Sequence, residues 1–341
     1  MDNSKLTEVL LDLAFFRLYS HESNQARQLA QRALVLAEQI DAQAMIAAAH
    51  CLLGIFCFGK GELETARHHL ERADEIFSTR RYRDSNEALY ARMAIGGLFS
   101  TLLLLGYPEA AERKSDQMLT VVPQRSDPYS IADALLLDAN GRLLLRDEAV
   151  IVDRTRELHS LAVEHGMPFR LARTDFLGGW LMVASGRPNE GIKQMRRAIA
   201  DLKASGVTIG IMTVALADAY AKHGNVEEAL GTVAEGLTRG DLNTVVEAEL
   251  YRLKGQLLLM QDPGSTEEAE RYFHTAIDIA RRQHARLFEL RATGSLALLM
   301  ANRGRRDEAC AMLGDIYNWF TEGFDSVDLK GAKALLDQLS R

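Results

Sequence analysis

Leu53-Gly54-Ile55-Phe56-Cys57-Phe58-Gly59-Lys60-Gly61-Glu62-Leu63-Glu64-Thr65-Ala66-Arg67-His68-His69-Leu70-Glu71-Arg72-Ala73 is the stretch that decides the fold. An apolar run breaks at Gly61, polar residues follow, and a small residue stands five positions after the glycine. A glycine there ends one helix in a turn conformation that other residues resist. A small residue early in the next helix lets the two backbones approach. The same spacing recurs from Gly106 to Ala111, Gly186 to Gly191, Gly224 to Ala229 and Gly304 to Ala309. Ala26, Ala149 and Ala269 take the same role without a glycine at that distance. The small residues then fall at 26, 66, 111, 149, 191, 229, 269 and 309, separated by 38 to 45 positions. Stacked helix pairs produce such a period, because each pair needs neighbours to complete its core.

Composition agrees. Only six prolines occur, all in short polar or Gly-containing stretches, which leaves long Ala-, Leu-, Glu- and Arg-rich segments of helical character. Helix starts fall where the period puts them. Ser265-Thr266-Glu267-Glu268 reads as a capping box, and Asn225 and Asn189 supply caps with acidic first turns. The expectation is an all-α solenoid of about eight helix pairs.

The order Leu53-Gly54, Cys57, Gly61, Ala66, Leu70, Ala73 resembles a tetratricopeptide repeat, as does Tyr251, Gly255, Ala269, Phe273, Ala276 around a loop insertion. That resemblance covers nearly the whole chain, although the third unit is degenerate and the fourth is hard to align. It implies a right-handed superhelix with a C-terminal capping helix. The expected organisation is one solenoid over 1–341: degenerate repeats over 1–165, clearer ones over 166–325 and the cap over 326–341.

A narrower resemblance lies in the last third. Glu249-Leu250-Tyr251-Arg252-Leu253-Lys254-Gly255-Gln256, Arg281-Arg282-Gln283 and Trp319-Phe320-Thr321-Glu322-Gly323-Phe324-Asp325 look like the C-terminal repeat region of bacterial adenylate/guanylate cyclase fusions with an AAA- or STAND-type ATPase. The resemblance implies a sensor or partner-binding arm. No Gly-x-x-x-x-Gly-Lys-Ser/Thr loop and no cyclase segment occur in the chain itself.

Charge and motifs narrow the function. A formal net charge of −7 argues against a nucleic-acid partner. The clusters Arg80, Arg81, Arg83 and Arg281, Arg282 read as solvated helix ends. Cys51, Cys57 and Cys310 form no even framework and read as small hydrophobes in a reducing cytoplasm. The start of the chain has no signal-peptide pattern. The apolar stretches Met45 to Phe58 and Met93 to Tyr107 fall short of a membrane span. His68 and His69 are adjacent and face different sides of a helix, and His50 with Cys57 reads as packing. Neither Gly-x-Ser-x-Gly nor His-Glu-x-x-His is present, so the expectation is a non-enzyme without metal or cofactor.

In the tetratricopeptide family the first helices line a concave groove. Transferred here, the groove positions are Asp138, Arg142, Arg173, Phe176, Trp180, Asp218, Lys222, Glu249, Arg252, Gln256, Arg291 and Asn302. Arg252 and Arg291 would present guanidinium forks to a carboxylate or acidic peptide, and Trp180 a stacking face. The first three pairs instead give Leu11, Phe15, Ile55, Phe58, Met93 and Leu103, an apolar end suited to self-association or to another domain. The leading expectation is a cytoplasmic protein-interaction scaffold or regulatory arm of a bacterial signalling system, binding a protein or peptide. The alternative is a small-molecule effector sensor of a STAND-type regulator, with a pocket near Phe176 and Trp180.

Overall fold

The computed structural model describes residues 3–19, 23–79, 85–121, 127–204, 210–238 and 244–340. Helices occupy nearly all of these, and no strand occurs among them. First helices α1 (Asn3–Tyr19), α3 (Gln43–Gly59), α5 (Ser85–Leu105), α7 (Pro128–Leu145), α9 (Pro168–Ala184), α11 (Gly210–Lys222), α13 (Glu247–Gln261) and α15 (Arg286–Asn302) alternate along the chain with second helices. The second helices are α2 (Ser23–Gln39), α4 (Leu63–Ser78), α6 (Pro108–Val121), α8 (Glu148–Glu164), α10 (Pro188–Ala204), α12 (Val226–Thr238), α14 (Thr266–Gln283) and α16 (Arg306–Tyr317). A ninth element of the series, α17 (Val327–Leu339), packs on α15 and α16. Eight pairs and a terminal helix make an all-α solenoid.

The turn chemistry recurs in five of the pairs. Gly61, Gly106, Gly186, Gly224 and Gly304 all have positive φ. Around each, the amide of the glycine and that of the next residue donate back to carbonyls of the helix just ended, as Gly61 N to Phe58 O at 2.9 Å and Glu62 N to Cys57 O at 2.9 Å. The fourth pair keeps this geometry with a different residue. Arg146 stands in the left-handed region, φ 58°, and Asp147 N donates to Arg142 O at 3.1 Å. Five positions after Arg146 comes Ile151, fully buried, whereas Ala149 is exposed. The fourth-pair assignment of Ala149 is therefore corrected to Ile151, and the period becomes 40 residues on both sides of it.

The capping box is also corrected. Ser265 is the N-cap of α14, but its hydroxyl donates to Asp262 Oδ2 at 3.0 Å and caps no amide of the helix. Caps that the sequence reading passed over are Asp127, accepting from Tyr129 N at 2.9 Å, and Ser326, accepting from Leu329 N at 3.4 Å. The Arg80, Arg81 and Arg83 cluster lies outside the described residues. Arg281 and Arg282 occupy the last turn of α14, as a helix-end role requires.

Close approach within pairs follows the small residues. In the fifth pair a Cβ added at Gly191 would meet Gly179 O at 2.4 Å, and one at Gly179 would meet Gly191 O at 2.7 Å. Those neighbours are backbone and cannot swing aside.

First and second helices differ in how far they are enclosed. In α11 nine of thirteen residues are buried, and in α12 only three. The cause is that the array turns back on itself: α15 packs against α5, α11 against α7, and the 3-10 turn Thr244–Val246 against α3. The first helices meet across the interior and fill much of it. One helix segment, Asn86–Leu105, is long and apolar enough to cross a membrane, contrary to the reading of shorter stretches; 83% of its apolar window is buried inside the array, as for a core helix.

The seam where the array meets itself is held by helix-end chemistry. Glu322 Oε1 accepts from Glu109 N at 2.9 Å and Ala110 N at 3.3 Å, capping the N-terminus of α6 from more than two hundred residues away. Arg291 Nη2 donates to Leu144 O at 2.6 Å and so satisfies an end carbonyl of α7. Tyr107 and Trp319 pack with ring centroids 5.7 Å apart, and Arg286 lies 5.0 Å over the Trp319 ring. At Gly323, with φ 75°, Pro108 Cγ already occupies the place of a Cβ.

Two outcomes follow from this packing. Gly191→Ala is expected to lower urea stability by about 1–3 kcal/mol, while Gly231→Ala, with open space at that position, leaves stability unchanged or slightly raised. Glu322→Ala is expected to remove about 1 kcal/mol and to speed hydrogen exchange at the amides of Glu109 and Ala110; unchanged exchange there would refute the seam cap.

Candidate functional site

Helical periodicity on α13 and α15 builds one cleft. Arg252, Gln256 and Leu259 follow each other at i, i+4 and i+7 on α13; Arg291, Ser295, Leu298 and Asn302 do so on α15. Together with Arg146, Met260, Phe273, Gly294 and Leu299 they line a cleft of about 480 Å³. Four of the expected groove residues, Arg252, Gln256, Arg291 and Asn302, thus come together. At its mouth Met260 and Leu298 are 43% and 48% exposed.

Beneath the cleft lies a buried ion-pair network. Glu249 is wholly buried and grips Arg252 in both directions, Oε2 to Nε and Oε1 to Nη2, each 2.9 Å. Arg252 Nη1 also donates to Gln256 Oε1 at 2.8 Å. Arg291 is held by Asp328 from α17, Nε to Oδ1 at 2.8 Å and Nη2 to Oδ2 at 2.7 Å. Glu249 Oε1 sits 3.7 Å from both Arg146 Nη2 and Arg291 Nη1. Asp218 pairs with Lys222 at 2.9 Å and feels Arg146 and Arg252. Burial works to raise the carboxyl groups of Glu249, Asp328 and Asp218, yet the guanidinium charges around them prevail and hold all three below their ordinary values. The forks of Arg252 and Arg291 are therefore occupied from within the chain, which corrects the expectation that both stand open to a ligand.

The other expected residues lie elsewhere. Asp138 is buried and accepts from Ser115 Oγ at 2.5 Å and Arg154 Nε at 2.7 Å, while Arg142 forks onto Glu112, with Nη2 to Oε2 at 2.6 Å. Their partners belong to α6 and α8, so this pair braces second helices. Arg173 Nη1 approaches Met212 Sδ at 3.1 Å. Phe176 is a fully buried core residue with Trp180 half-buried against the same core. In the first three pairs Leu11, Met93 and Leu103 are buried and Phe15, Ile55 and Phe58 pack beside them. The exposed apolar stripe at that end is Val9, Leu13 and Phe16 on α1.

Arg146 is the residue that sequence reasoning missed. Its signal was indirect: the fourth pair has no glycine where five others have one. An arginine in that conformation costs about 1–2 kcal/mol, and its side chain reaches the cleft.

Elsewhere, His50 Nδ1 and His69 Nδ1 lie 2.8 Å apart across α3 and α4. Burial and the neighbouring cations and imidazoles bring His50 down to about 4, so it is neutral at pH 7. Among the described residues no group of three metal-ligating side chains gathers. Burial pushes the Cys57 thiol up to about 12 and the Cys51 thiol higher still, as inert core cysteines require.

No family model matches the chain, and no curated protein matches it either. Solved structures of helical-repeat proteins do. One is a STAND protein with a tetratricopeptide-repeat sensor from Pyrococcus horikoshii, 16% identical, with a TM-score of 0.46. The match covers 98% of this chain and 49% of that one, so the chain spans about half its length. A circular tandem repeat protein of novel repeat topology matches at 15% identity and a TM-score of 0.26, over 99% of this chain and 96% of that one. The P58(IPK) tetratricopeptide domain matches at 13% and 0.22, over 97% and 98%. No residue role is carried over from any of them.

The ion-pair network makes a stability prediction. Asp328→Ala leaves Arg291 buried beside an incomplete set of carboxylates and is expected to cost about 3–5 kcal/mol in urea denaturation at pH 7. The carboxyl groups are held below their ordinary values, 4.5 for Glu249 and 3.8 for Asp328. Their contribution is therefore fully present above those values and is lost as pH falls through the lower, folded-state ones. Wild-type stability should drop on acidification below that range, and the drop should be shallower in Asp328→Asn.

Proposed function

We propose that this chain is a non-catalytic recognition module, a scaffold or sensor arm of a bacterial, cytoplasmic signalling system, and that a protein or peptide partner is held at the cleft between α13 and α15. The observation that carries the reading is the composition of that cleft. Exposed Met260, Leu298 and Asn302 form its rim, while Gln256, Ser295 and three guanidinium groups lie deeper. An apolar rim over a few fixed polar groups is the usual make-up of a binding site. Arginine stays charged across physiological pH, which suits it to recognition of anions and not to proton transfer.

Because the first helices fill much of the interior, a short segment of the partner enters, not a long peptide laid along a groove. A second reading, a small-molecule effector sensor, rests on volume alone: about 480 Å³ is enough for a small ligand. The stripe Val9, Leu13 and Phe16 offers a surface for self-association in either reading.

The test spares the buried arginines. Met260→Asp with Leu298→Asp changes two exposed residues, so the fold is expected to persist, as circular dichroism would verify. Affinity capture from the source cells should then lose the protein that the wild type retains. Retention of the same protein by both chains would remove the cleft from the recognition surface.

A further inference from the structure

Five of the within-pair turns place glycine at the left-handed position, and the fourth places Arg146 there. Its guanidinium lines the cleft, yet among the described residues it makes no hydrogen bond; its nearest carboxylate oxygen there is Glu249 Oε1, at 3.7 Å. Arg291 Nη1 stands at the same distance from that oxygen and makes no hydrogen bond either. Side by side, these two edges leave several N–H donors directed at the cleft. Each carboxylate nearby already has a closely paired cation: Asp218 has Lys222 at 2.9 Å, Glu249 has Arg252 and Asp328 has Arg291, and Arg146 is left without a close carboxylate of its own. The proximity of Arg291, together with burial, weakens the hold of Arg146 on its proton.

We propose that Arg146 and the Nη1 edge of Arg291 bind a single carboxylate carried on an apolar chain. The carboxylate supplies the close partner that Arg146 lacks and accepts from both guanidinium groups, while the chain lies between Met260 and Leu298. This rests on the cleft being the recognition site and names the group it recognises. The same chemistry is offered by the free C-terminus of a peptide ending in an apolar residue and by an aliphatic carboxylic acid.

The experiment is titration calorimetry on the full chain with four probes: hexanoate, hexanamide, an acetylated dipeptide ending in leucine with a free carboxyl, and the same dipeptide amidated. The wild type is expected to bind at least one acid about tenfold or more tightly than its amide. The acid preferred, dipeptide or hexanoate, identifies the source of the carboxylate. Arg146→Gly restores the residue found at the equivalent turns, so its unliganded melting temperature should equal or exceed that of the wild type. The same variant should lose about tenfold or more in affinity for the acid and none for the amide. Arg146→Lys should fall between the two.

Equal binding of acid and amide by the wild type, no binding of any probe, or an Arg146→Gly variant that binds the acid unchanged would each overturn the site. Failure of the carboxylate site alone would appear as acid-indifferent binding alongside a partner capture that still needs Met260 and Leu298. Failure of the recognition reading alone would appear as Arg146-dependent acid binding with capture indifferent to those two residues.

Discussion

A helix end must find partners for its unpaired amides or carbonyls, and at two places in this chain the partners come from the far end of the sequence. Glu322 meets the amides that open α6, and Arg291 meets a carbonyl that closes α7. Each charge also has the sign that the helix dipole favours at that end. The arrangement explains why the array returns to α5–α7 at a defined register and does not slide along it. A shifted register would strand the buried Arg291 guanidinium away from water and away from partners. The Trp319, Tyr107 and Arg286 cluster adds apolar and cation–π contact around these polar points. Enclosure of the first helices depends on the same return, because α5 and α15 face each other only when the seam is made.

The interior network under the cleft is the second consequence. Three carboxylates and three arginines are brought together from α7, α11, α13, α15 and α17, from elements that no single repeat contains. A buried network of this kind is weak as a source of net stability, since desolvation offsets much of the attraction. Its effect is on specificity of arrangement: Asp328 fixes α17, Glu249 fixes Arg252, and the donors left over are those of Arg146 and the Nη1 edge of Arg291. The cleft is therefore positioned by the groups that lock the terminal helix.

How much of this was legible in the sequence depends on how local the cause is. The glycine-plus-five spacing is set by one turn and the helix after it, so it places five of the eight pairs, and the small residues Ala26 and Ala269 place two more. The fourth is misread by two residues because Arg146 takes a conformation normally given to glycine, and Ala149 then looks like the small residue that Ile151 replaces. Ser265 was assigned a capping role that Asp262 outcompetes over three residues. The groove residues divide in the same way. Helical spacing put Arg252 with Gln256 and Arg291 with Asn302 on shared faces, and the structure unites them. Spacing carries no information on what the winding brings opposite a face, so the carboxylates that occupy both forks were not foreseen. Asp138 and Arg142 show the same limit, being turned toward α6 and α8 by partners 16 to 30 residues distant.

The seam also orders events in time. Glu322 and Glu109 are separated by 213 positions, and the ribosome delivers the second long before the first. During synthesis the early repeats can stack on one another through neighbour contacts alone, since repeat arrays fold from local interactions. The closing contacts have the opposite character: they demand that a very long loop be brought together before any of them is gained. A nascent chain thus passes through an open, spring-like array with its inner apolar walls in water, and closure of the seam comes late, only once the segment that carries Glu322 has left the exit tunnel.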